Sequence, residues 1–213
     1  TYTVAEIEAL CALAHDSGLR VHMDGARFAN ALLCLDVRPA EMSWKAGVDV
    51  LSFGTTKNGT INAEVVIAFD RDIASELAYR HKRAGLLNSK MRYMSAQIVA
   101  YLNNDLWLVC ANKANRNAQR LRRALSRVPG VEFAYPTDIN AVFAYLPKGF
   151  TDRLGMSGIE LRSWPSERGN LFRLIASFCE SEDRVQAFES FCRDADTQIA
   201  SQQATPGKVE VLG

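Results

Sequence analysis

Lys57 lies in the run Val48-Asp49-Val50-Leu51-Ser52-Phe53-Gly54-Thr55-Thr56-Lys57-Asn58-Gly59, at the mouth of an apolar stretch. A lysine so placed can form an imine with a carbonyl cofactor. Upstream, His22-Met23-Asp24-Gly25-Ala26-Arg27 puts Asp24 at the end of another short apolar stretch. A carboxylate there can keep a pyridinium nitrogen protonated, and an amine paired with such a carboxylate is what pyridoxal phosphate chemistry asks of a protein. Arg27, three residues beyond Asp24 and in the first turn of the helix expected there, could reach a phenolate oxygen or a substrate carboxylate. Ser52, Thr55 and Thr56 offer hydroxyls that could take a phosphate.

Each residue alone has an ordinary explanation. An Asp at a strand end is commonly a helix cap, and a lysine in a polar turn is commonly a solvated charge. It is the pairing and order of the two segments that point to chemistry. Gly54-Thr55-Thr56-Lys57 is not a phosphate loop of the nucleotide-binding kind, because the G-x-x-x-x-G-K-[ST] spacing is absent and a strand, not a helix, follows. Of the three histidines, His15 reads as a helix-surface residue and His81 as part of a basic segment. His22 shares a strand face with Asp24. None is expected to act as a catalytic base.

The elements that must position Asp24 and Lys57 read as an α/β fold. Thr3 and Glu6 form a T-x-x-E capping box, and Ile7, Leu10, Cys11 and Ala14 mark the apolar face of a helix ended by Gly18. A strand over 19–23 follows, and Gly25 lets the chain turn into a helix over 26–35. Pro39 opens a short helix reaching Lys45, and Gly47 leads into a strand over 48–53. The next strand covers 64–69. Residues 54–64 are too few for a parallel crossover, so these two strands should be antiparallel, with Lys57 in a wide turn between them.

Residues 91–125 read as long helical stretches with a break near Asn103-Asn104-Asp105, bridging two domains. Beyond Pro129-Gly130 come short strands at 131–134, 141–146 and 171–177, then a helix from Glu182 capped by Ser181. The expected division is 1–125 as the C-terminal part of a large cofactor-binding domain, 126–200 as a small α+β domain, and 201–213 as a flexible tail.

Composition is that of an ordinary globular protein: 213 residues, 48% apolar, with 25 basic against 24 acidic side chains. So balanced a charge recommends neither nucleic acid nor an anionic membrane as partner, and no apolar run approaches the roughly 20 residues of a bilayer span. Cys11, Cys34, Cys110, Cys179 and Cys192 are odd in number and lack any C-x-x-C spacing, so neither a disulfide framework nor a metal site is expected, and the cytoplasm is the expected compartment.

Taken together, His22-Met23-Asp24-Gly25-Ala26-Arg27-Phe28-Ala29-Asn30-Ala31 and Ser52-Phe53-Gly54-Thr55-Thr56-Lys57-Asn58-Gly59 resemble the threonine aldolase family, in particular its low-specificity threonine and phenylserine aldolases. Tyr79-Arg80-His81-Lys82-Arg83-Ala84-Gly85, Ser89-Lys90-Met91-Arg92 and Phe172-Arg173-Leu174-Ile175-Ala176-Ser177 extend the likeness to about residue 194.

The resemblance implies fold type I of the pyridoxal phosphate enzymes, with a large, mostly parallel sheet domain, a small C-terminal domain, and sites shared between subunits of a homodimer or homotetramer. It implies Lys57 as the imine lysine, Asp24 as the pyridinium partner and Arg27 near the phenolate and substrate carboxylate. Arg173 is implied as the clamp on the substrate α-carboxylate, a task suited to a guanidinium fork. Without the resemblance, Arg173 would read as a surface arginine on an edge strand. Lys82, Arg83 and Arg92 correspond to a basic segment near the cofactor phosphate, although a solvated helix face also explains them.

The implied reaction cleaves a β-hydroxy-α-amino acid to glycine and an aldehyde. A β-eliminating lyase on the same scaffold and a non-catalytic truncated domain are the alternatives. The family's phosphate-binding loop and ring-stacking histidine lie upstream of what begins here at Thr1. The chain is therefore expected to be a fragment, inactive alone, whose missing N-terminal segment would complete the site.

Overall fold

The hydroxyl of Thr3 accepts the N–H of Glu6 at 3.3 Å while the Glu6 carboxylate accepts the N–H of Thr3 at 2.7 Å, so the capping box opens α1 (Val4–Asp16) as its sequence requires. The computed structural model describes residues 1–203, with side chains through Asp194. It falls into two units, Thr1–Lys113 and the chain from Ala114 onward. The buried stripe of α1 is narrower than its pattern suggests: Ile7 and Cys11 are buried, but Leu10 is exposed.

In the first unit, β1 (His22–Gly25), β2 (Val50–Phe53) and β3 (Val65–Ala68) form a sheet in the order β1-β2-β3. β1 and β2 are parallel, joined through α2 (Phe28–Leu35); β2 and β3 are antiparallel, as the short connection demands. The register sets Met23, Leu51 and Ile67 abreast, and likewise Gly25, Phe53 and Val65. This face is the core face. Phe53 packs edge-on to Phe28 at 5.9 Å and to Trp107 at 5.8 Å, a geometry that suits the aromatic quadrupole. The opposite face carries Asp24, Ser52 and Val66 abreast, and there Asp24 and Val66 are exposed.

Several local expectations shift. The first strand starts at His22 and takes in Asp24, and α2 begins only at Phe28, because the Ala26 N–H is bonded to the Asp24 carboxylate at 2.9 Å and holds a turn there. Residues 39–43 form turns instead of a helix, and only Trp44–Ala46 makes a 3-10 turn. Gly47 then leaves it with φ +100°, and a Cβ there would meet that of Cys11 at 2.7 Å.

The sequence pattern did not reveal α3 (Arg71–Arg83), which buries no residue fully and whose half-buried Ile73, Leu77 and His81 make only a narrow stripe. α4 (Arg92–Leu102) and α5 (Leu106–Leu125) are separated at the expected place, where Asn104 and Asp105 adopt positive φ.

In the second unit, β4 (Glu132–Phe133), β5 (Ala141–Tyr145) and β6 (Leu171–Ile175) make an antiparallel sheet. Its inner face, with Val142, Ala144 and Leu174, shares a core with Ala118 and Leu125 of α5, Leu154 of α6 (Lys148–Met156) and Cys192 of α7 (Glu182–Gln203). α6 is a further element that the sequence pattern hid, since Gly149 and Gly155 weaken its helical signal. The Ser181 hydroxyl lies 3.4 Å from the Arg184 N–H, in the capping position expected for α7. Of the tail expected over 201–213, residues 201–203 end α7 and the remainder lies outside the described residues. Among the described residues, no helix is long and apolar enough to cross a membrane.

Candidate active site

Because β1 and β2 are parallel, their carboxyl ends open on the same side, where ligands gather in α/β sheets. The two turns that leave these ends touch backbone to backbone. The Gly54 N–H donates to the Gly25 carbonyl at 3.0 Å. A Cβ on Gly54 would sit 2.5 Å from the Ala26 Cα, and one on Gly25 would sit 2.7 Å from the Ser52 carbonyl. Neither glycine has a positive φ, so Gly25 is needed for close approach and not, as its place in a turn suggested, for backbone freedom.

The approach brings Asp24, Ala26, Ser52, Gly54, Lys57, Glu64 and the start of β3 around one pocket of about 290 Å³. That is near the lower end of the range for small-molecule sites, about 300 to 1,000 Å³. Lys57 is exposed, and its amine makes no hydrogen bond or ion pair among the described residues. The Asp24 carboxylate spends Oδ1 on the Ala26 N–H and leaves Oδ2 open. His22 Nε2 lies 2.7 Å from the Ser52 hydroxyl on the same sheet face. Arg27 is the N-cap of α2, half-buried beside the Asp24 turn.

The lysine turn is held from both flanks by residues that the sequence reading passed over. Before Lys57, the N–H groups of Thr55 and Thr56 donate to the Glu64 carboxylate at 2.9 and 3.2 Å, and the Thr56 hydroxyl donates to it as well. Thr55 is fully buried, and its hydroxyl bonds the Ala63 carbonyl and Thr60. Both threonine hydroxyls are thus engaged within the turn.

After Lys57, the buried Asn58 amide donates to the Tyr101 hydroxyl at 2.6 Å and to the Trp107 carbonyl at 2.8 Å. Burial pushes the Tyr101 phenol above its ordinary pKa, against the bond from Asn58, which lowers it. Neither Glu64 nor Asn58 has a local sequence signature; their partners come from the hairpin and from α4 and α5.

Lys82 and Arg83 end α3, exposed, and line a different groove with Glu76, Tyr79 and Leu87; they contribute nothing to the lining of the Lys57 pocket. In the second unit, Arg173 on β6 is half-buried, its guanidinium 4.4 Å over the Trp164 ring. The outer side of β6 is not bare, for the Trp164 N–H donates to the Leu171 carbonyl at 2.7 Å and Ser163 bridges Phe172. Arg173 lines a groove of about 480 Å³ together with Arg162, Arg184, Glu160 and Glu180.

A family model described as beta-eliminating lyase matches residues 1–148. Two low specificity L-threonine aldolases, from Pseudomonas aeruginosa and from a Pseudomonas species, are each 40% identical to this chain, over 91% and 87% of it and over 54% and 53% of their own lengths. The chain therefore spans about half the length of the curated relatives it matches. A solved threonine aldolase from Leishmania major superposes with a TM-score of 0.81 at 23% identity, covering 91% of this chain and 57% of that one. These matches bear out the expected α/β architecture of fold type I.

Proposed function

The chain belongs to the beta-eliminating lyase family, and from that premise we propose that the protein is a pyridoxal-phosphate-dependent aldolase, cleaving a β-hydroxy-α-amino acid of the threonine or phenylserine type to glycine and an aldehyde. The observation that carries the proposal is the single pocket shared by Lys57 and Asp24, with an unbonded amine on one side and an open carboxylate oxygen on the other. That donor set fits the cofactor: a primary amine for its carbonyl and a carboxylate for its ring nitrogen. Relatives named as threonine aldolases favour the aldolase reading over others on the same fold.

Bound pyridoxal phosphate supplies a ring that withdraws the electrons released when the Cα–Cβ bond of the substrate breaks. Lys57 would hold the cofactor through its amine. Asp24, its carboxylate oriented by the Ala26 N–H on Oδ1, would keep the ring nitrogen protonated through Oδ2. Arg27 would take the phenolate and substrate-carboxylate region, and Arg173, whose guanidinium lies 4.4 Å over the Trp164 ring, would clamp the substrate α-carboxylate with its fork. Lys82 and Arg83 line a separate groove, so they would lend positive charge toward the phosphate from a neighbouring subunit of the proposed oligomer. Thr55 and Thr56 serve through the turn they build, since their hydroxyls are taken up within it.

The protein is proposed to work as a homodimer or homotetramer on free amino acids. A cytoplasmic location is supported by five cysteines that are all free thiols. Incubating the full-length protein, of which this chain spans about half by comparison with its relatives, with pyridoxal phosphate and either threonine or phenylserine tests the activity: glycine with acetaldehyde or benzaldehyde is expected. The family's description keeps β-elimination as the second reading, and ammonia with a 2-oxo acid in place of glycine would establish it. Absence of both product sets, with cofactor bound, would overturn the catalytic reading.

A further inference from the structure

Glu64 stands at the entry to β3, across the pocket mouth from the lysine turn. Three donors converge on its carboxylate: the Thr55 N–H, the Thr56 N–H and the Thr56 hydroxyl. Successive amides with a neighbouring hydroxyl make a small concavity that takes an anion. The anion here is the chain's own carboxylate, and charge-assisted bonds of this kind are the stronger ones. Lys57 is the next residue after Thr56, and Asn58 is tied down on its other side to Tyr101 and Trp107. The amine itself bonds to nothing among the described residues, so its position is set by the backbone that carries it.

We propose that Glu64 is a positioning residue for Lys57: it closes the 54–56 turn as an internal anion, presents the amine to the pocket at one place, and takes the donors that a cofactor phosphate would otherwise use. The inference rests on the reading of Lys57 as the cofactor-bearing lysine. It goes further by assigning a role to a residue outside the Lys57 and Asp24 motifs, and it requires the phosphate to be held by groups other than the turn amides. Glu64 borders the pocket, but its carboxylate is engaged by the turn donors. Its effect runs through geometry, where a displacement of about 1 Å can slow a reaction about a hundredfold.

The test uses pyridoxal phosphate as the probe on the full-length protein, comparing wild type with Glu64→Gln and Glu64→Ala. Uptake of the probe is followed by equilibrium dialysis. The rate of borohydride-fixed adduct at Lys57 is followed by peptide mass spectrometry at saturating probe, and the thermal midpoint is measured without probe. Glu64→Ala should retain non-covalent uptake yet fix the probe at Lys57 about tenfold more slowly or worse. Glu64→Gln keeps one acceptor oxygen and should fall between, with a thermal midpoint near that of wild type.

A merely structural role would lower the midpoint and the folded fraction without changing the rate per folded molecule. If Glu64→Ala does not fold, Glu64→Gln decides, and a wild-type rate in it overturns the proposal. Equal rates in wild type and both folded variants do the same. Failure of the wild type to fix any probe at Lys57 would instead remove the site reading itself, and with it this inference.

Discussion

The Gly54 amide donates to the Gly25 carbonyl across 3.0 Å, and this one bond sets the turn after β1 against the turn after β2. Asp24 and Lys57 reach a common pocket because these two turns touch. The contact leaves no room for a side chain, since a Cβ on Gly54 would stand 2.5 Å from the Ala26 Cα, which is backbone and cannot swing away.

Gly54→Ala should therefore destabilise the protein by about 1 to 3 kcal/mol, the usual cost of overpacking a close contact. It should also weaken pyridoxal phosphate uptake, because the turns carrying Asp24 and Lys57 must separate. Urea unfolding and equilibrium dialysis on the same preparation check both effects. Wild-type values in each would show that the turns tolerate spreading.

At the opposite ends of the strands, Asp49 ties the unit together. Its carboxylate, only 11% exposed, accepts the Val21 N–H at 2.7 Å and meets His15 at 2.9 Å and Arg20 at 3.6 Å. Burial works against the charged form, yet the Val21 N–H, His15 and Arg20 outweigh it and hold the carboxyl below its ordinary pKa. A carboxyl lowered on folding adds stability that is full above its unfolded pKa of about 3.9 and is lost as pH falls through the lower folded value. Between pH 6 and pH 3 the urea midpoint should fall more in wild type than in Asp49→Asn. Equal falls would mean that Asp49 contributes nothing to acid unfolding.

Arg173 gives a prediction that separates geometry from charge. Lysine keeps the charge but has no planar fork to pair with a carboxylate or to stack on Trp164. If Arg173 clamps the substrate carboxylate, Arg173→Lys should raise KM for threonine about tenfold, corresponding to about 1.4 kcal/mol of lost binding, with a smaller change in kcat. Steady-state kinetics on the assembled enzyme reads this directly. An unchanged KM would return Arg173 to the role of a surface residue on β6.

What was legible in the sequence is what is encoded locally. The Thr3 and Glu6 capping box, the antiparallel β2 and β3 pair and the break at Asn104 each depend on a few neighbouring residues and were readable. Lys57 and Asp24 stand out by residue type and order alone, whereas their sharing of one pocket depends on the fold. α3 escaped because it buries no residue fully, and α6 because its glycines dilute the helical pattern. Glu64 and Asn58 escaped for another reason: their partners are supplied by the β2–β3 hairpin and by Tyr101 and Trp107, far along the chain. The same distance explains Thr55, whose hydroxyl looked available for phosphate until the fold turned it onto the Ala63 carbonyl.

The most direct test of the central claim is to load the protein with pyridoxal phosphate, reduce it with borohydride, digest it and locate the fixed cofactor by mass spectrometry. The account predicts modification of the peptide containing Lys57, lost in Lys57→Ala and strongly reduced in Asp24→Ala. Fixation at another lysine in wild type, or undiminished fixation in Lys57→Ala, would contradict it.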